Sequence, residues 1–120
     1  MNDTQVWDFE KELWVGGREA YDRQVSKQVL MALPAKPFLY DQQAAIAAVK
    51  DTPVWEEAEF VERHVERPGE GLISLAYRVH AKRGEQNYKA LCTSVIQHVD
   101  GDEWRVIQHQ QTPLGVELAE

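Results

Sequence analysis

The sequence predicts an α+β protein, with most of its helices in the first half and antiparallel strands in the second. Apolar residues recur at helical spacing up to about residue 50, and after residue 54 they alternate with polar residues. Asp100-Gly101 lies between two alternating segments, which is a strong hairpin signal because tight hairpin turns need positive φ angles. Helices followed by a meander of strands are typical of the α+β class.

Four elements are predicted in the first half: a helix over 4–15, a short helix over 18–24, a strand over 25–33 and a helix over 42–50. The first helix is indicated by Val6, Phe9 and Leu13, which recur at helical spacing. Gly16-Gly17 ends it, because glycine tolerates the left-handed conformation that follows a last helical turn. Asp41 is the predicted N-cap of the helix over 42–50.

Four strands are predicted in the second half, over 55–65, 72–81, 88–99 and 104–112. A two-residue loop at Asp100-Gly101 and a five-residue loop before residue 88 would pair Tyr77 with Leu91, and would place Cys92 opposite His109. The face expected to pack on the helices then carries Ile73, Leu75, Tyr77, Val79, Leu91, Thr93, Val95, Trp104, Val106, Gln108 and Gln110. The opposite face has small residues at its centre, Ala76, Cys92 and Ser94, which favours its burial under a second flat surface.

Composition limits the function classes. The 120 residues fit a single domain over 1–120, and 20 acidic against 13 basic residues give a net charge of −7. An acidic chain without a basic patch is a poor binder of nucleic acid. Cys92 is the single cysteine, which excludes an internal disulfide and the usual structural zinc patterns, and no metal or cofactor is predicted. We find no secretory signal and no apolar run of about 18 residues, so we expect a cytoplasmic protein without membrane contact.

The order of these elements resembles the NTF2-like superfamily, and in particular its SnoaL-like and DUF4440-like members. The matching stretches are Glu10 to Trp14 with Gly16-Gly17, Thr93, Asp100-Gly101 before Trp104-Arg105-Val106, and Gln108-His109-Gln110-Gln111-Thr112-Pro113. The resemblance implies N-terminal helices packed in a strongly curved, mostly antiparallel sheet, which forms a cone with a pocket at one end. It also implies a homodimer through the outer sheet face, which here would include Ala76, Cys92 and Ser94.

The resemblance also bears on catalysis. Ketosteroid isomerases of this fold need a phenol on the first helix and a carboxylate base at the end of the first strand. Those positions hold Phe9 and Leu33 here, so we expect both to be buried and this isomerase machinery to be absent. Cys92 opposite His109 would suit a nucleophile and a base, but no third orienting residue is evident, and no catalytic residue is assigned.

The predicted ligand-binding residues are Trp14, Trp55, Tyr77, Thr93, Gln108 and Gln110. Thr93, Gln108 and Gln110 are neutral hydrogen-bonding groups that could orient a ligand, or could simply fix helix ends and loops. The leading hypothesis is a homodimer that binds a small apolar or weakly polar molecule. The alternatives are an acid–base enzyme of the SnoaL-like type, acting as an isomerase, dehydratase or cyclase on a small cyclic or polyketide-like substrate, and an assembly module without ligand. A buried carboxylate or histidine with a perturbed pKa would favour catalysis.

Overall fold

The computed structural model describes residues 1–115 and has three helices and six strands in that part of the chain. In chain order they are α1 Asp3–Val15, α2 Gly17–Gln24, β1 Val25–Ala32, β2 Leu39–Tyr40, α3 Gln42–Asp51, β3 Glu57–Gly69, β4 Leu72–Arg83, β5 Gln86–Asp100 and β6 Glu103–Pro113. The α+β class is confirmed, and the predicted elements agree with these bounds to within a few residues.

Local capping explains where the helices begin and end. Asn2 accepts a hydrogen bond from the backbone N–H of Gln5, whose side chain accepts one in return from the Asn2 backbone N–H, so a capping box starts α1. Gly17, at φ +65°, makes the sharp turn from α1 into α2. Asp41 caps α3 through the backbone N–H of Ala44, as predicted.

The six strands form one curved sheet in the order β2-β1-β6-β5-β4-β3. Every neighbouring pair is antiparallel except β1 and β6, so the sheet is mostly antiparallel, as expected. Register shifts interrupt three of the ladders, and such bulges bend strands. The helices pack on the inner face, with α1 against β3 and α2 and α3 against the β1 and β6 side. No helix in residues 1–115 is long and apolar enough to cross a membrane.

The inner face of the sheet is defined by the buried residues of β4, Ile73, Leu75, Tyr77, Val79 and Ala81. These agree with the predicted face of that strand. They pack with the buried side of α1, which presents Val6, Leu13 and Trp14. The hydrophobic core therefore lies between α1 and the centre of the sheet.

The predicted face of β5 is wrong. Arg83 pairs with Gln86, so β4 and β5 are joined by a two-residue turn rather than a five-residue loop. Tyr77 therefore pairs with Cys92 and not with Leu91, which inverts the side of every β5 residue. The inner face of β5 carries Ala90, Cys92, Ser94 and Ile96, all buried, and the outer face carries Leu91, Thr93 and Val95.

The predicted face of β6 is correct at Val106 and wrong beyond it. Ile96 pairs with Val106, but the next pair on the ladder joins Val95 to Gln108, so Ile107 is an extra residue in β6. This bulge shifts the alternation by one position. His109 consequently faces inward opposite Ser94, and not opposite Cys92.

The outer sheet face also differs from the prediction. Ala76 is exposed on that face, as expected. Cys92 and Ser94 are buried on the inner face instead, at 2% and 0% exposure, so neither can form an outer contact with a second copy. A homodimer through the outer face stays a prediction, now without these two residues.

Candidate functional site

A cavity of about 430 Å³ lies between the three helices and the inner face near β1, β5 and β6. Its wall is mainly apolar and aromatic, and includes Leu13, Trp14, Tyr21, Leu33, Tyr40 and Trp55. Trp55 stacks on Tyr88, with ring centroids 5.5 Å apart. The volume lies within the range of about 300–1,000 Å³ that is typical of small-molecule sites.

Polar side chains of β5 and β6 meet at one part of the cavity wall. The amide nitrogen of Gln111 lies 3.1 Å from His109 Nε2, and the Tyr88 hydroxyl donates to Gln111 Oε1 at 2.9 Å. Trp14 meets the His109 ring edge-on, with centroids 6.1 Å apart. His109, Gln111 and Tyr88 thus place hydrogen-bonding groups beside an aromatic wall, where they could orient a bound molecule.

A buried carboxyl group lies behind this wall. Glu10 of α1 has no exposed surface, and its Oε2 accepts hydrogen bonds from the Tyr77 hydroxyl and the Ser94 hydroxyl, each at 2.5 Å. Trp14 Nε1 donates in turn to the Tyr77 oxygen at 2.9 Å. Glu10 Oε1 is buried without a hydrogen-bond partner among the described residues. Such an unsatisfied polar atom is unusual in a folded interior.

Ser94 connects the carboxyl group to the cavity. Its Oγ lies 2.7 Å from His109 Nδ1, whereas His109 Nδ1 and Glu10 Oε2 are 3.6 Å apart. The direct His109 to Glu10 distance is too long for a hydrogen bond. The serine hydroxyl therefore completes a continuous chain of contacts from Glu10 to the cavity wall.

Counting donors and acceptors assigns the protons in this chain. When Glu10 is ionised, the Ser94 hydroxyl donates to it, so His109 Nδ1 must be the donor to Ser94 Oγ. Neutral histidine then has its lone pair on Nε2, where the Gln111 amide N–H donates. This assignment places the basic nitrogen of His109 on the side that faces the cavity.

Burial dominates the electrostatics of the site. It raises the pKa of Glu10, although hydrogen bonds from Ser94 and Tyr77 act in the opposite direction. It lowers the pKa of His109 to about 4, so the ring is neutral near pH 7. Burial and the Glu10 charge raise the pKa of both Tyr21 and Cys92 to about 12. The same two causes hold the pKa of Tyr77 well above its usual value.

The structure separates the predicted ligand-binding residues into two groups. Trp14 and Trp55 line the cavity. Tyr77 lies just behind it, where its hydroxyl donates a hydrogen bond to Glu10. Thr93, Gln108 and Gln110 lie together on the outer face, where Thr93 Oγ1 is 3.2 Å from Gln110 Oε1 and 3.5 Å from Gln108 Oε1. The prediction that Thr93, Gln108 and Gln110 share an interior with Tyr77 is therefore wrong.

The Cys92 and His109 pairing also does not form. Cys92 lies opposite Gln111 on the ladder, and its raised pKa makes it a poor nucleophile. His109 instead contacts Ser94. In residues 1–115, no group of three or more His, Cys, Asp and Glu side chains is placed to hold a metal ion.

Sequence reasoning did not assign Glu10, Ser94, His109, Gln111 or Tyr88 to the site. A signal for Glu10 was present, because it stands four residues after Val6 and three before Leu13, within the apolar stripe of α1. A carboxylate in that stripe is a candidate for burial. No comparable signal marks His109 and Gln111, since their inward direction depends on the bulge in β6.

A second, larger groove of about 760 Å³ lies between α1 and strands β3 and β4. It is open and its lining carries charges of both signs, among them Asp8, Lys11, Glu57, Arg63 and Lys82. Arg63 lies over the Trp7 ring at 5.4 Å and lines this groove, not the inner cavity. We favour the smaller cavity as the site because it is more enclosed and mostly apolar.

The chain matches no protein family model and no curated protein. Solved structures are similar to it over most of its length. A "putative ketosteroid isomerase" from Parabacteroides distasonis superposes with a TM-score of 0.79 at 16% identity, covering 92% of this chain and 86% of that chain. An NTF2-like protein from Cytophaga hutchinsonii superposes with a TM-score of 0.76 at 18% identity, and the match covers 95% of this chain and all of that chain. The protein has the NTF2-like fold.

The structure of an NTF2-like protein of unknown function from Prochlorococcus is similar as well. Its TM-score is 0.74 at 15% identity, and the match covers 98% of this chain and 97% of that chain. At such identities the similarity concerns the fold alone. Within the NTF2-like fold, the SnoaL-like and DUF4440-like assignment stays a prediction.

Proposed function

We propose that this NTF2-like protein binds a small, uncharged, mainly apolar ring molecule that carries a hydroxyl or carbonyl group. The observation that carries the proposal is the aromatic cavity, on whose wall His109 and Gln111 lie side by side. The ring of the ligand would contact Trp14 and Trp55. A ligand hydroxyl would donate to His109 Nε2, and a ligand carbonyl oxygen would accept from the Gln111 amide N–H.

The charges around the cavity support an uncharged ligand. His109 is neutral near pH 7 because burial lowers its pKa. Glu10 is linked to the cavity wall through Ser94, and whenever it is ionised its negative charge would repel an anion. A neutral molecule avoids this repulsion and gains from burial of its apolar surface.

An acid–base enzyme is the second candidate, and a specific observation favours it. A buried carboxyl group and a buried histidine, both with shifted pKa values, are connected to the cavity. Isomerases, dehydratases and cyclases that act on small cyclic substrates need such groups.

The ketosteroid isomerase reaction itself is not what we propose. Leu33 places an apolar side chain on the cavity wall, and Phe9 packs against the core. Both are half-buried, rather than fully buried as predicted. We expect no rapid conversion of a Δ5-3-ketosteroid, because the carboxylate base of that reaction is absent from the Leu33 position. The cytoplasmic location and the homodimer also stay predictions.

Calorimetric titration with phenol tests the binding proposal. We expect Leu33→Trp to weaken phenol binding at least about tenfold, because the larger ring fills part of the cavity. Leu30→Trp is the matched control, since Leu30 lies three residues before Leu33, in β1, but is 67% exposed. Equal phenol affinity in Leu33→Trp and the wild type would show that phenol does not bind in this cavity, provided that the variant is folded.

A further inference from the structure

We propose that Glu10, Ser94 and His109 form a proton relay, in which His109 Nε2 takes a proton from the bound molecule and Glu10 finally holds it. The inference rests on the proposed function, because the relay needs a ligand at the cavity wall. The relay selects ligands with an acidic O–H or C–H bond. His109 is the residue that would touch the ligand, and Ser94 and Glu10 act through it.

The relay consists of successive hydrogen-bond contacts from the cavity wall to Glu10. His109 Nε2 lies at the cavity wall, where the Gln111 amide N–H occupies its lone pair at 3.1 Å. A ligand hydroxyl can replace this amide N–H, while the Gln111 carbonyl oxygen keeps the hydrogen bond that the Tyr88 hydroxyl donates to it. On the far side of the ring, His109 Nδ1, Ser94 Oγ and Glu10 Oε2 follow at 2.7 Å and 2.5 Å. Each step is a hydrogen-bond distance.

Proton transfer from a bound phenol to Glu10 takes three coupled steps. The phenol O–H bond breaks, its electron pair stays on oxygen, and the proton bonds to His109 Nε2. The Nδ1–H bond breaks and that proton bonds to Ser94 Oγ, while the original Ser94 hydroxyl proton bonds to Glu10 Oε2. Glu10 becomes a neutral acid, His109 changes tautomer without becoming charged, and the negative charge now lies on the ligand.

Burial favours this endpoint over an imidazolium. The same burial that lowers the pKa of His109 to about 4 raises the pKa of Glu10, so a proton is more stable on the carboxyl group. A hydrogen bond with the Thr93 backbone raises the pKa of His109, but by less than burial lowers it. The titratable groups that face Glu10 are Tyr21, Tyr77 and Cys92, and their raised pKa values keep them neutral. They therefore do not compete for the proton.

Ser94 is the part of the relay that a small change can remove. The His109 Nδ1 to Glu10 Oε2 distance of 3.6 Å does not support direct transfer. Ser94→Ala removes the connecting hydroxyl and leaves both end groups in place. Thr93→Val is the matched control, because Thr93 is adjacent in β5 but lies exposed on the outer face.

The first test needs no ligand. Ring ¹⁵N NMR should show His109 protonated at Nδ1 at high pH, and protonated at Nε2 after Glu10 takes up a proton at lower pH, without an imidazolium state between them. We expect Glu10→Gln to abolish this tautomer switch, because an amide cannot take up the proton. Asp8→Asn, on an exposed position of α1, should retain it. A wild-type His109 tautomer that does not change before the ring becomes charged would overturn the relay.

The second test uses 4-nitrophenol, whose anion absorbs at longer wavelength than its neutral form, at a pH above both its own pKa and the midpoint of the switch. We expect the bound molecule to keep the anion spectrum while the wild type takes up about one proton per ligand, measured by calorimetry in buffers of different ionisation enthalpy. Ser94→Ala should lose this combination, and Thr93→Val should keep it.

The outcomes separate the two proposals. If the ligand binds as the neutral phenol, or if Ser94→Ala behaves like Thr93→Val, the relay is wrong and the binding function stands. If the anion binds without proton uptake, the relay is wrong and so is the proposal of an uncharged ligand. If neither phenol nor 4-nitrophenol binds the wild type, the proposed function is wrong. In that case no proton comes from a bound phenol, and the tautomer switch in the free protein tests only whether Glu10, Ser94 and His109 pass a proton among themselves.

Discussion

Glu10 is a fully buried carboxyl group whose hydrogen-bond donors are the neutral hydroxyls of Tyr77 and Ser94. Removing a charge from water is costly unless a cation or enough donors replace the water, and Glu10 Oε1 has no partner among the described residues. The ionised residue therefore destabilises the fold. A titratable group held in this way is a candidate for function rather than for structural support.

Glu10→Gln should raise the free energy of unfolding at pH 8. The pKa of Glu10 is raised in the folded state above 4.5, so the folded state holds a proton that the unfolded state releases. Wild-type stability therefore falls as pH rises from 4.5 through the raised pKa. The stability of Glu10→Gln does not fall in this way, because its amide does not titrate. The difference in the free energy of unfolding between the variant and the wild type should therefore shrink as pH falls toward 4.5.

Urea unfolding at a series of pH values measures this difference, with Asp8→Asn as the exposed control on the same helix. A Glu10→Gln variant that is less stable than the wild type at every pH would contradict the account of Glu10.

The helices were predictable because local residues set their limits. Gly16-Gly17 ends α1, and the Asp41 side chain caps α3 whatever the distant chain does. The face of β5 was not predictable in this way. The larger residues Leu91 and Val95 suggested the inner side, but that side holds smaller residues.

Close packing explains why small residues face inward in β5. Ser94 and Cys92 lie beneath the helix side chains, where Ser94 contacts Glu10 directly and the Glu10 charge acts on Cys92. Larger side chains would occupy the space of Glu10. In β6 the bulge at Ile107 reverses the alternation, and a single extra residue leaves no mark in a polar and apolar pattern. His109 and Gln111 could therefore not be assigned to the cavity from the sequence.

A pair of neighbouring substitutions tests the register of β5. Ser94→Ala should destabilise the protein by about 1–3 kcal/mol, because it leaves buried hydrogen-bonding groups of Glu10 and His109 without their partner. Thr93→Val, on the exposed outer face, should change stability by less than about 0.5 kcal/mol. Chemical denaturation of both variants gives the values. A larger loss in Thr93→Val than in Ser94→Ala would contradict the observed face assignment.

The whole molecule is a curved sheet closed by helices on its inner side, and its outer face is left uncovered in the single chain. Ala76 and Leu91 are exposed there, and the Leu91 side chain is 42% exposed. The fold class followed from the order of elements. The site did not, since it depends on which side chains the curvature and the bulge bring together.

We expect the outer face to be the contact in a homodimer. Ala76→Arg should then give monomers in light scattering, because it places an unpaired charge in a desolvated contact. Ala47→Arg is the matched control, since Ala47 is exposed on α3, on the other side of the sheet. An unchanged dimer in Ala76→Arg would show that the subunits meet through another surface.

We propose that the cavity of about 430 Å³ beside His109 binds an uncharged ring molecule by its polar group. A crystal structure of the wild type with phenol tests it most directly. We expect the phenol ring against Trp14 and Trp55, with its hydroxyl within hydrogen-bond distance of His109 Nε2, in place of the Gln111 amide. Phenol found instead in the open groove beside Arg63, with the cavity holding water alone, would contradict it.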